Sequence, residues 1–242
     1  MAGLSISKAS APGRLREVLL HVLPGQIWGL IGPNGSGKSS LLHAMAGLLP
    51  TSGQVKLGDQ CLDQMAARER ARRLGLLPQR SQSAWALSVR DVVSLGRLPW
   101  QDDDAQAIEA AMQQAGVQAY AGMPVNQLSG GQQARVWLAR VLAGHPEVLL
   151  ADEPVASLDL LYQQQIAQAL QTYARQGRAV VVALHDLSLA ARYCDQLALM
   201  QKGELVAAGP VSQVLNPAIL SSVYGVDVMV DLASTPPIVL AR

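Results

Sequence analysis

The fold is decided by Gly32-Pro33-Asn34-Gly35-Ser36-Gly37-Lys38-Ser39-Ser40, which follows the apolar run Ile27–Ile31 and opens a helical pattern over Lys38–Leu48. The stretch matches G-x-x-x-x-G-K-[ST], a loop that joins a strand to a helix and surrounds a polyphosphate. Its glycines let the backbone curl so that successive N–H groups point at phosphate oxygens, and the helix N-terminus adds a partial positive charge. We therefore predict a phosphate-binding loop at this position.

The loop also predicts which groups meet the nucleotide. Lys38 is expected to reach the β- and γ-phosphates, and the Ser39 hydroxyl is expected to bind Mg²⁺. A glycine-rich turn with an incidental lysine is the alternative, and the flanking strand and helix patterns argue against it.

A second motif is Val148-Leu149-Leu150-Ala151-Asp152-Glu153-Pro154, an apolar run that ends in two carboxylates. Asp152 is suited to holding Mg²⁺ through water, and Glu153 is suited to aligning and polarising the attacking water. Apolar runs that end in acids are common, so this motif gains its meaning from the phosphate loop upstream.

The third motif is Leu128-Ser129-Gly130-Gly131-Gln132, which precedes a helical pattern over Gln133–Arg140. Ser129 occupies the place of an N-cap, and the two glycines leave the backbone N–H groups open to an anion. An ordinary capped helix is the alternative for Ser-Gly-Gly alone. The full pentapeptide shortly before the acidic strand favours a second anion-binding helix end.

Short apolar runs alternate with helical patterns along the chain, which predicts an α/β sheet with largely parallel strands. The predicted strands are Glu17–Leu23, Ile27–Ile31, Gln54–Leu57, Leu74–Leu77, Val148–Ala151, Ala179–Leu184, Gln196–Met200 and Glu204–Ala208. The predicted helices are Lys38–Leu48, Ala105–Ala115, Gly131–Ala143 and Leu160–Gln176.

The Ala- and Gln-rich stretch between Arg80 and Asn126 has no apolar run typical of a buried strand and predicts a helical insertion. We expect residues 1–79 and 138–220 to form the core, 80–137 a helical subdomain and 221–242 a C-terminal tail. Within the insertion, Asp102-Asp103-Asp104 is typical of a solvated helix start.

Composition excludes several classes of protein. The 242 residues carry a net charge of +1, without the basic excess that nucleic-acid binding usually needs. The long charge-free stretches are interrupted by proline, glycine or asparagine, so no spanning helix is predicted. No secretory signal is visible, and Cys61 and Cys194 form no CxxC pair. These features predict a cytoplasmic protein.

Together the motifs resemble the ATP-binding cassette (ABC) ATPases over nearly the whole chain. Gly32–Ser39 is similar to the Walker A loop, Leu128–Gln132 to the signature motif and Val148–Glu153 to the Walker B strand. Three further elements complete the family's order. Gln79 resembles the Q-loop glutamine, Ser157-Leu158-Asp159 the D-loop and His185 the switch histidine that contacts the γ-phosphate.

The resemblance implies a P-loop NTPase (RecA-like) core with a β-rich N-terminal part and an inserted helical subdomain. It implies ATP and Mg²⁺ as cofactors. Lys38, Gln79, Glu153 and His185 are then the catalytic residues, and Ser39, Gln79 and Asp152 bind the metal. It also implies a homodimer, in which ATP lies between the Walker A loop of one copy and Ser129–Gln132 of the other, with Asp159 at the dimer contact.

The resemblance further implies two transmembrane permease subunits, a periplasmic or extracellular substrate-binding protein, and a peripheral location on the cytoplasmic side of the inner membrane. Ser94–Trp100 resembles the LGR-x-P element of importers for iron–siderophore complexes, haem and cobalamin, and the tail with Val223-Tyr224-Gly225-Val226 is similar to that subgroup's ending. The overall pattern, including Asn126-Gln127 before the signature motif, is similar to the ATPase of the cobalamin importer, and the cargo stays open among the three. An ATPase for a metal ion or exported lipid, and a soluble non-transport ATPase, are the alternatives.

One surface is expected to contact the permease. The stretch Gln79–Arg97 lies between motif clusters and carries the apolar residues Trp85, Leu87 and Val89. One element of the family is missing, since Ser5–Val22 contains no aromatic residue to stack on adenine.

Overall fold

The computed structural model describes residues 2–79, 86–156 and 158–242, and these form an α/β fold of the predicted class. Most predicted elements are present with ends shifted by a few residues. Two strands, Ile27–Ile31 and Leu74–Leu77, have the predicted bounds.

The strands, numbered along the chain, are β1 (Leu4–Ala11), β2 (Leu15–Val22), β3 (Ile27–Ile31), β4 (Ser52–Leu57), β5 (Gln60–Cys61), β6 (Leu74–Leu77), β7 (Val148–Asp152), β8 (Ala179–Ala183), β9 (Gln196–Gln201), β10 (Glu204–Pro210), β11 (Val228–Asp231) and β12 (Ile238–Ala241). The α-helices are α1 (Lys38–Met45), α2 (Ala67–Arg73), α3 (Val89–Ser94), α4 (Ala105–Gln114), α5 (Gly130–Ala143), α6 (Leu160–Arg175), α7 (Leu187–Tyr193), α8 (Val211–Val214) and α9 (Pro217–Tyr224).

The central sheet contains six strands in the order β10-β9-β3-β8-β7-β6. β9, β3, β8, β7 and β6 pair in parallel, and β10 closes one edge as an antiparallel strand. All residues of β3, β7 and β8 are buried, because helices or a second sheet cover both faces. Unbroken apolar runs are the sequence pattern that such strands require.

The N-terminal strands form a separate antiparallel sheet in the order β2-β1-β4-β5. Helix α1 packs between this sheet and one face of the central sheet, where Leu41, Leu42 and Met45 are buried with Ile6 and Trp28. Trp28 is thus a core residue, and the helix that follows the phosphate loop is held from both sides.

Helices α3 to α7 and the C-terminal elements pack on the opposite face, in a second core that joins Val92 and Met112 to Leu142 and Leu170. The boundary predicted at 137/138 falls inside α5, which runs without interruption into this core. The division into core, helical subdomain and tail therefore remains a prediction.

A polar cluster fixes the turn between α3 and α4. Arg97 is buried, donates from Nε and Nη2 to the Asp102 carboxylate at 2.8 and 2.7 Å, and donates from Nη1 to the Ala143 carbonyl at 3.1 Å. Trp100 lies between the guanidinium groups of Arg72 and Arg97, at 4.9 and 5.1 Å from the ring centroid. Asp104 caps α4 as a helix start should, but Asp102 is not merely solvated: it is the ion-pair partner of Arg97.

Over the described ranges, no helix combines the length and the apolar content that crossing a bilayer requires.

Candidate nucleotide-binding and hydrolysis site

The site lies where four neighbouring strands of the central sheet end. Gly32–Ser40 follows β3, Gln79 follows β6, Asp152 and Glu153 close β7, and His185 follows β8. The carboxyl edge of a parallel sheet is the usual place for a ligand in an open α/β fold. The fold thus brings together residues that are more than a hundred positions apart in the sequence.

The phosphate loop is held in shape by close backbone contacts. Gly32 has a φ of 145°, and a Cβ there would lie 2.2 Å from the Met200 carbonyl oxygen, so no larger residue fits. Lys38 is buried, and its Nζ donates to the carbonyls of Gly32 at 2.9 Å and Pro33 at 3.1 Å. The lysine therefore bonds to its own loop rather than to a carboxylate.

The loop's charge and polarity suit an anion. Burial lowers the pKa of the Lys38 ammonium, although the charges of Glu153 and Asp152 act in the opposite direction. Within the described part of the chain, Ser36 Oγ is buried without a hydrogen-bond partner, and Gly37, the N-cap of α1, has no side chain to cap the helix. A helix whose first N–H groups have no partner is a ready site for phosphate.

Ser39 and Asp152 form the hard-oxygen part of the site. Ser39 Oγ donates to Asp152 Oδ1 at 3.0 Å, which joins the start of α1 to the end of β7. Burial raises the pKa of the Asp152 carboxyl, the hydrogen bond from Ser39 opposes this, and the charge of Glu153 adds to it. A bound cation would favour the charged carboxylate, and Mg²⁺ prefers such oxygen ligands.

Glu153 is held by two neighbours. Gln79 Nε2 donates to Glu153 Oε2 at 2.6 Å, and His185 Nε2 contacts Glu153 Oε1. Glu153 itself has a φ of 50°, a left-handed conformation that a non-glycine residue adopts at a cost and that is often found at functional sites. The three predicted catalytic side chains on separate strand ends therefore meet at one carboxylate.

Ser129–Gln132 forms the N-terminal turn of α5, and the described residues contain no hydrogen bond between this turn and the phosphate loop. Ser129 Oγ accepts the Gln132 N–H at 3.3 Å, and Gln132 Oε1 accepts the Ser129 N–H at 2.9 Å, a reciprocal capping box. Asp159 is likewise exposed and caps α6. Ser157, the first residue of the predicted D-loop, lies outside the described residues.

Comparison with known proteins shows which family carries this arrangement. The family profile described as ABC transporter matches residues 15–156 of this chain. The chain belongs to the ABC transporter family. This ABC ATPase is 46% identical to the hemin import ATP-binding protein HmuV of Pseudomonas entomophila over 237 residues, which cover 94% of this chain and 92% of the relative.

The protein of the same name from Rhodococcus jostii is 42% identical over 229 residues, which cover 92% of this chain and 78% of the relative. Among solved structures, one described as a metal-chelate type ABC transporter in an inward-facing conformation matches with a TM-score of 0.84 and 23% identity, over 96% of this chain and 92% of that chain. The structural likeness supports the P-loop NTPase fold.

Family membership makes this chain the ATPase part of an ABC transporter: it binds ATP, couples ATP hydrolysis to transport, and works with permease subunits. The residues described above fit both the nucleotide and the metal, since the loop presents an uncapped helix end and a buried ammonium, and Ser39 and Asp152 present oxygen donors.

Two contributors to the site were not predicted from the sequence. The β9–β10 turn supports the phosphate loop, because Gly203 N–H donates to the Ser36 carbonyl at 2.8 Å. The Lys202-Gly203 pair predicts a turn but not its neighbour. Tyr162 of α6 packs against Gly131 of the signature turn, a contact that no sequence spacing indicates.

Proposed function

We propose that this ABC ATPase powers the import of haem, a metal chelate. The observation that carries the proposal is the likeness to two proteins named hemin import ATP-binding proteins, which extends over more than nine tenths of this chain. Cobalamin and iron–siderophore complexes are the alternatives, because the cargo of such a transporter does not touch the ATPase.

In the proposed mechanism, the buried Lys38 neutralises phosphate charge, and the free backbone N–H groups of the loop at the start of α1 bind the phosphate oxygens. Glu153 orients and polarises the attacking water. Gln79 and His185 position Glu153, since each already contacts one of its oxygens. Ser39, Asp152 and Gln79 would hold Mg²⁺, which when bound neutralises developing charge on the phosphates.

We further propose that two copies of the chain pair around the nucleotide. Ser129, Gly130 and Asp159 support this, because they are exposed at helix starts. Neither Ser129–Gln132 nor Asp159 has a hydrogen bond to the phosphate loop within the described part of their own chain. A second copy supplies the missing contact. Contacts that exist only in the paired state allow ATP to favour pairing and hydrolysis to release it.

The proposed permease contact lies on the helical side of the molecule, on the cytoplasmic face of the membrane. Leu98 is 67% exposed, Met123 is 39% exposed and Leu87 is half-buried, whereas Val89 is fully buried in the core and does not belong to this surface. Trp85 lies outside the described residues. An extracytoplasmic haem-binding protein would deliver the cargo to the permease.

Co-purification with the permease tests the docking surface. Leu87→Asp and Leu98→Asp should each abolish co-purification and leave ATP binding unchanged, since a carboxylate cannot be desolvated in an apolar contact. Leu240→Asp, which alters an exposed leucine on β12, is the control and should still assemble. Normal assembly of both test variants would contradict the proposed surface.

The cargo is tested by the ATPase activity of the complex in proteoliposomes. We expect a binding protein loaded with haem to stimulate hydrolysis, whereas the same assay with cobalamin or a ferric siderophore should leave the rate at its basal level. Stimulation by either of these instead of haem would reassign the cargo and leave the ATPase mechanism intact.

A further inference from the structure

Tyr162 contacts both the signature turn at Gly131 and Asp159, two segments that are distant in sequence and that both face the second copy in the proposed pairing. It is the third residue of α6, and its N–H donates to the capping carboxylate of Asp159 at 3.0 Å. Its ring lies directly against Gly131: a Cβ at position 131 would lie 2.3 Å from Cδ2 and 2.6 Å from Cγ of the ring. These distances are shorter than any van der Waals contact, so the ring occupies the space of a side chain at 131.

Arg135 supports the same ring from the next turn of α5. Its guanidinium carbon lies 5.0 Å from the centroid of the Tyr162 ring, within the range of a cation–π contact. Arg135 is buried, and its Nη1 donates to the Gly116 carbonyl at 2.9 Å. Because Arg135 is fixed by the turn that follows α4, the Tyr162 ring is held against both Gly131 and Arg135.

We propose that Tyr162 is a positioning residue that fixes the signature turn Ser129–Gln132 relative to Asp159. The ring contacts the turn while the backbone of the same residue binds Asp159, so the two segments keep one spacing. This inference rests on the proposed function, in which both segments face the second copy. A turn held at the wrong distance from Asp159 cannot make both contacts at once.

Glycine at 131 can be required for two different reasons, exposure of its N–H to phosphate or exclusion of a side chain by the Tyr162 ring. If the position only needs to expose its N–H to phosphate, alanine is harmful whatever lies nearby. If the Tyr162 ring excludes a side chain, the harm disappears when the ring is removed. Helix propensity favours alanine over glycine here, so it does not account for a loss.

A suppression experiment in the full-length chain separates these reasons. Gly131→Ala should lower kcat about 100-fold and Tyr162→Ala about 10-fold, the scale on which small displacements act. The double variant should regain at least about 10-fold over Gly131→Ala, a large coupling between two contacting sites. Tyr162→Phe keeps the ring and should stay within about twofold of the unaltered chain.

Two further measurements show that the effect is one of positioning. ATP binding to the single chain, followed with a fluorescent ATP analogue, should be unchanged in Tyr162→Ala, because the phosphate loop is intact. In a Glu153→Gln background, ATP-dependent pairing measured by light scattering should be weaker with Tyr162→Ala than with Tyr162→Phe. If Tyr162 only stabilised the fold, Tyr162→Ala would lower the melting temperature without weakening pairing more than ATP binding.

The outcomes are distinct. A double variant as inactive as Gly131→Ala, with Tyr162→Ala as active as the unaltered chain, would overturn the positioning role. A Glu153→Gln chain with Tyr162 intact that stays single at saturating ATP would instead overturn the proposed pairing. Suppression in kcat would still support the Tyr162 contact in that case.

Discussion

Two clusters in this chain each contain a positive and a negative side chain, and the pKa values of the two clusters are shifted in opposite directions. In the nucleotide site, the pKa of the Lys38 ammonium is lowered and that of the Asp152 carboxyl is raised, so both charged forms are disfavoured. In the cluster of Arg72, Arg97, Trp100 and Asp102, which we call the Arg97 cluster, the pKa of Arg97 is raised and that of Asp102 is lowered, so both charged forms are favoured.

Geometry explains the difference. Arg97 makes two short hydrogen bonds to one carboxylate, and that carboxylate is open to water on its other side. Lys38 and Asp152 are buried, and Lys38 is bonded to carbonyl groups while Asp152 accepts from a neutral hydroxyl. Burial without a charged partner at bonding distance disfavours charge.

Among the described residues, the charges of the nucleotide site lack partners that stabilise them, as expected of a site that binds a charged ligand, whereas the charges of the Arg97 cluster stabilise each other. Perturbed charges in a cleft are typical of functional sites, and here they coincide with the phosphate loop. The LGR-x-P element, which marks resemblance to an importer subgroup, has in this chain a packing role: Gly96 approaches so closely that its Cβ would lie 2.0 Å from the Arg140 carbonyl oxygen of α5.

The largest effect is expected from Glu153→Gln in the nucleotide site. Loss of the group that polarises water should lower kcat about 1000-fold. ATP binding should persist, because the loop and Lys38 are unchanged, and the paired state should accumulate. Single-turnover hydrolysis and light scattering with ATP measure the two effects.

Glu147→Gln is the matched control, since Glu147 directly precedes β7, at the end of the strand opposite to Glu153, and accepts a hydrogen bond from Arg73. It should keep near-normal turnover. Full turnover by Glu153→Gln would remove Glu153 from the mechanism.

Replacing Lys38 and Arg97 each by methionine tests whether the nucleotide site and the Arg97 cluster have separate functions. Lys38→Met should weaken ATP binding about 100-fold through loss of a charge pair with phosphate. It should change the free energy of unfolding by less than about 1 kcal/mol, because the ammonium is already disfavoured by burial. Titration with a fluorescent ATP analogue and urea unfolding measure the two quantities.

Arg97→Met should do the reverse. It should lower the free energy of unfolding by about 2 kcal/mol, since the Ala143 carbonyl loses its donor and Asp102 its partner, and it should leave ATP affinity within about twofold. A loss of ATP affinity in Arg97→Met equal to that in Lys38→Met would mean that the two clusters are not functionally separate.

Much of the fold could be predicted because the buried parallel strands leave an unmistakable pattern. Ile27–Ile31 and Leu74–Leu77 are short apolar runs between breakers, and the structure has them as strands with those bounds. β1 (Leu4–Ala11) was not predicted. Its buried residues are Leu4, Ile6, Ala9 and Ala11, and the small alanines and the serines between them give no clear alternation of apolar and polar residues.

The sequence predicts where the candidate site lies and which residues form it, but not all of the contacts among them. The motifs indicate which residues follow which strand, and the parallel order brings Gln79, Glu153 and His185 together as the family resemblance implies. Sequence could not show that Lys38 bonds to its own loop or that Tyr162 excludes a side chain at Gly131. The first depends on the backbone conformation of the loop, and the second on packing between α5 and α6; neither is recorded in the local spacing of residues.

The smallest expected effect concerns the acid dependence of the Arg97 cluster. The side-chain hydrogen bond from Arg97 is the main cause that lowers the pKa of Asp102 in the folded chain. The folded state therefore binds fewer protons than the unfolded state just below the ordinary Asp pKa of about 4. The stability from this pair is present above that value and is lost as pH falls through the lower folded-state pKa.

Asp102→Asn removes the titrating group, so its melting temperature should lie below that of the unaltered chain near neutral pH, by a fraction of the loss seen for Arg97→Met. The difference should stay constant down to about pH 5 and then shrink as the solution becomes more acidic. Scanning calorimetry of both chains across this range measures it. Asp103→Asn is the control for the acidic run, and a difference that grows on acidification would mean that Asp102 is not held charged by Arg97.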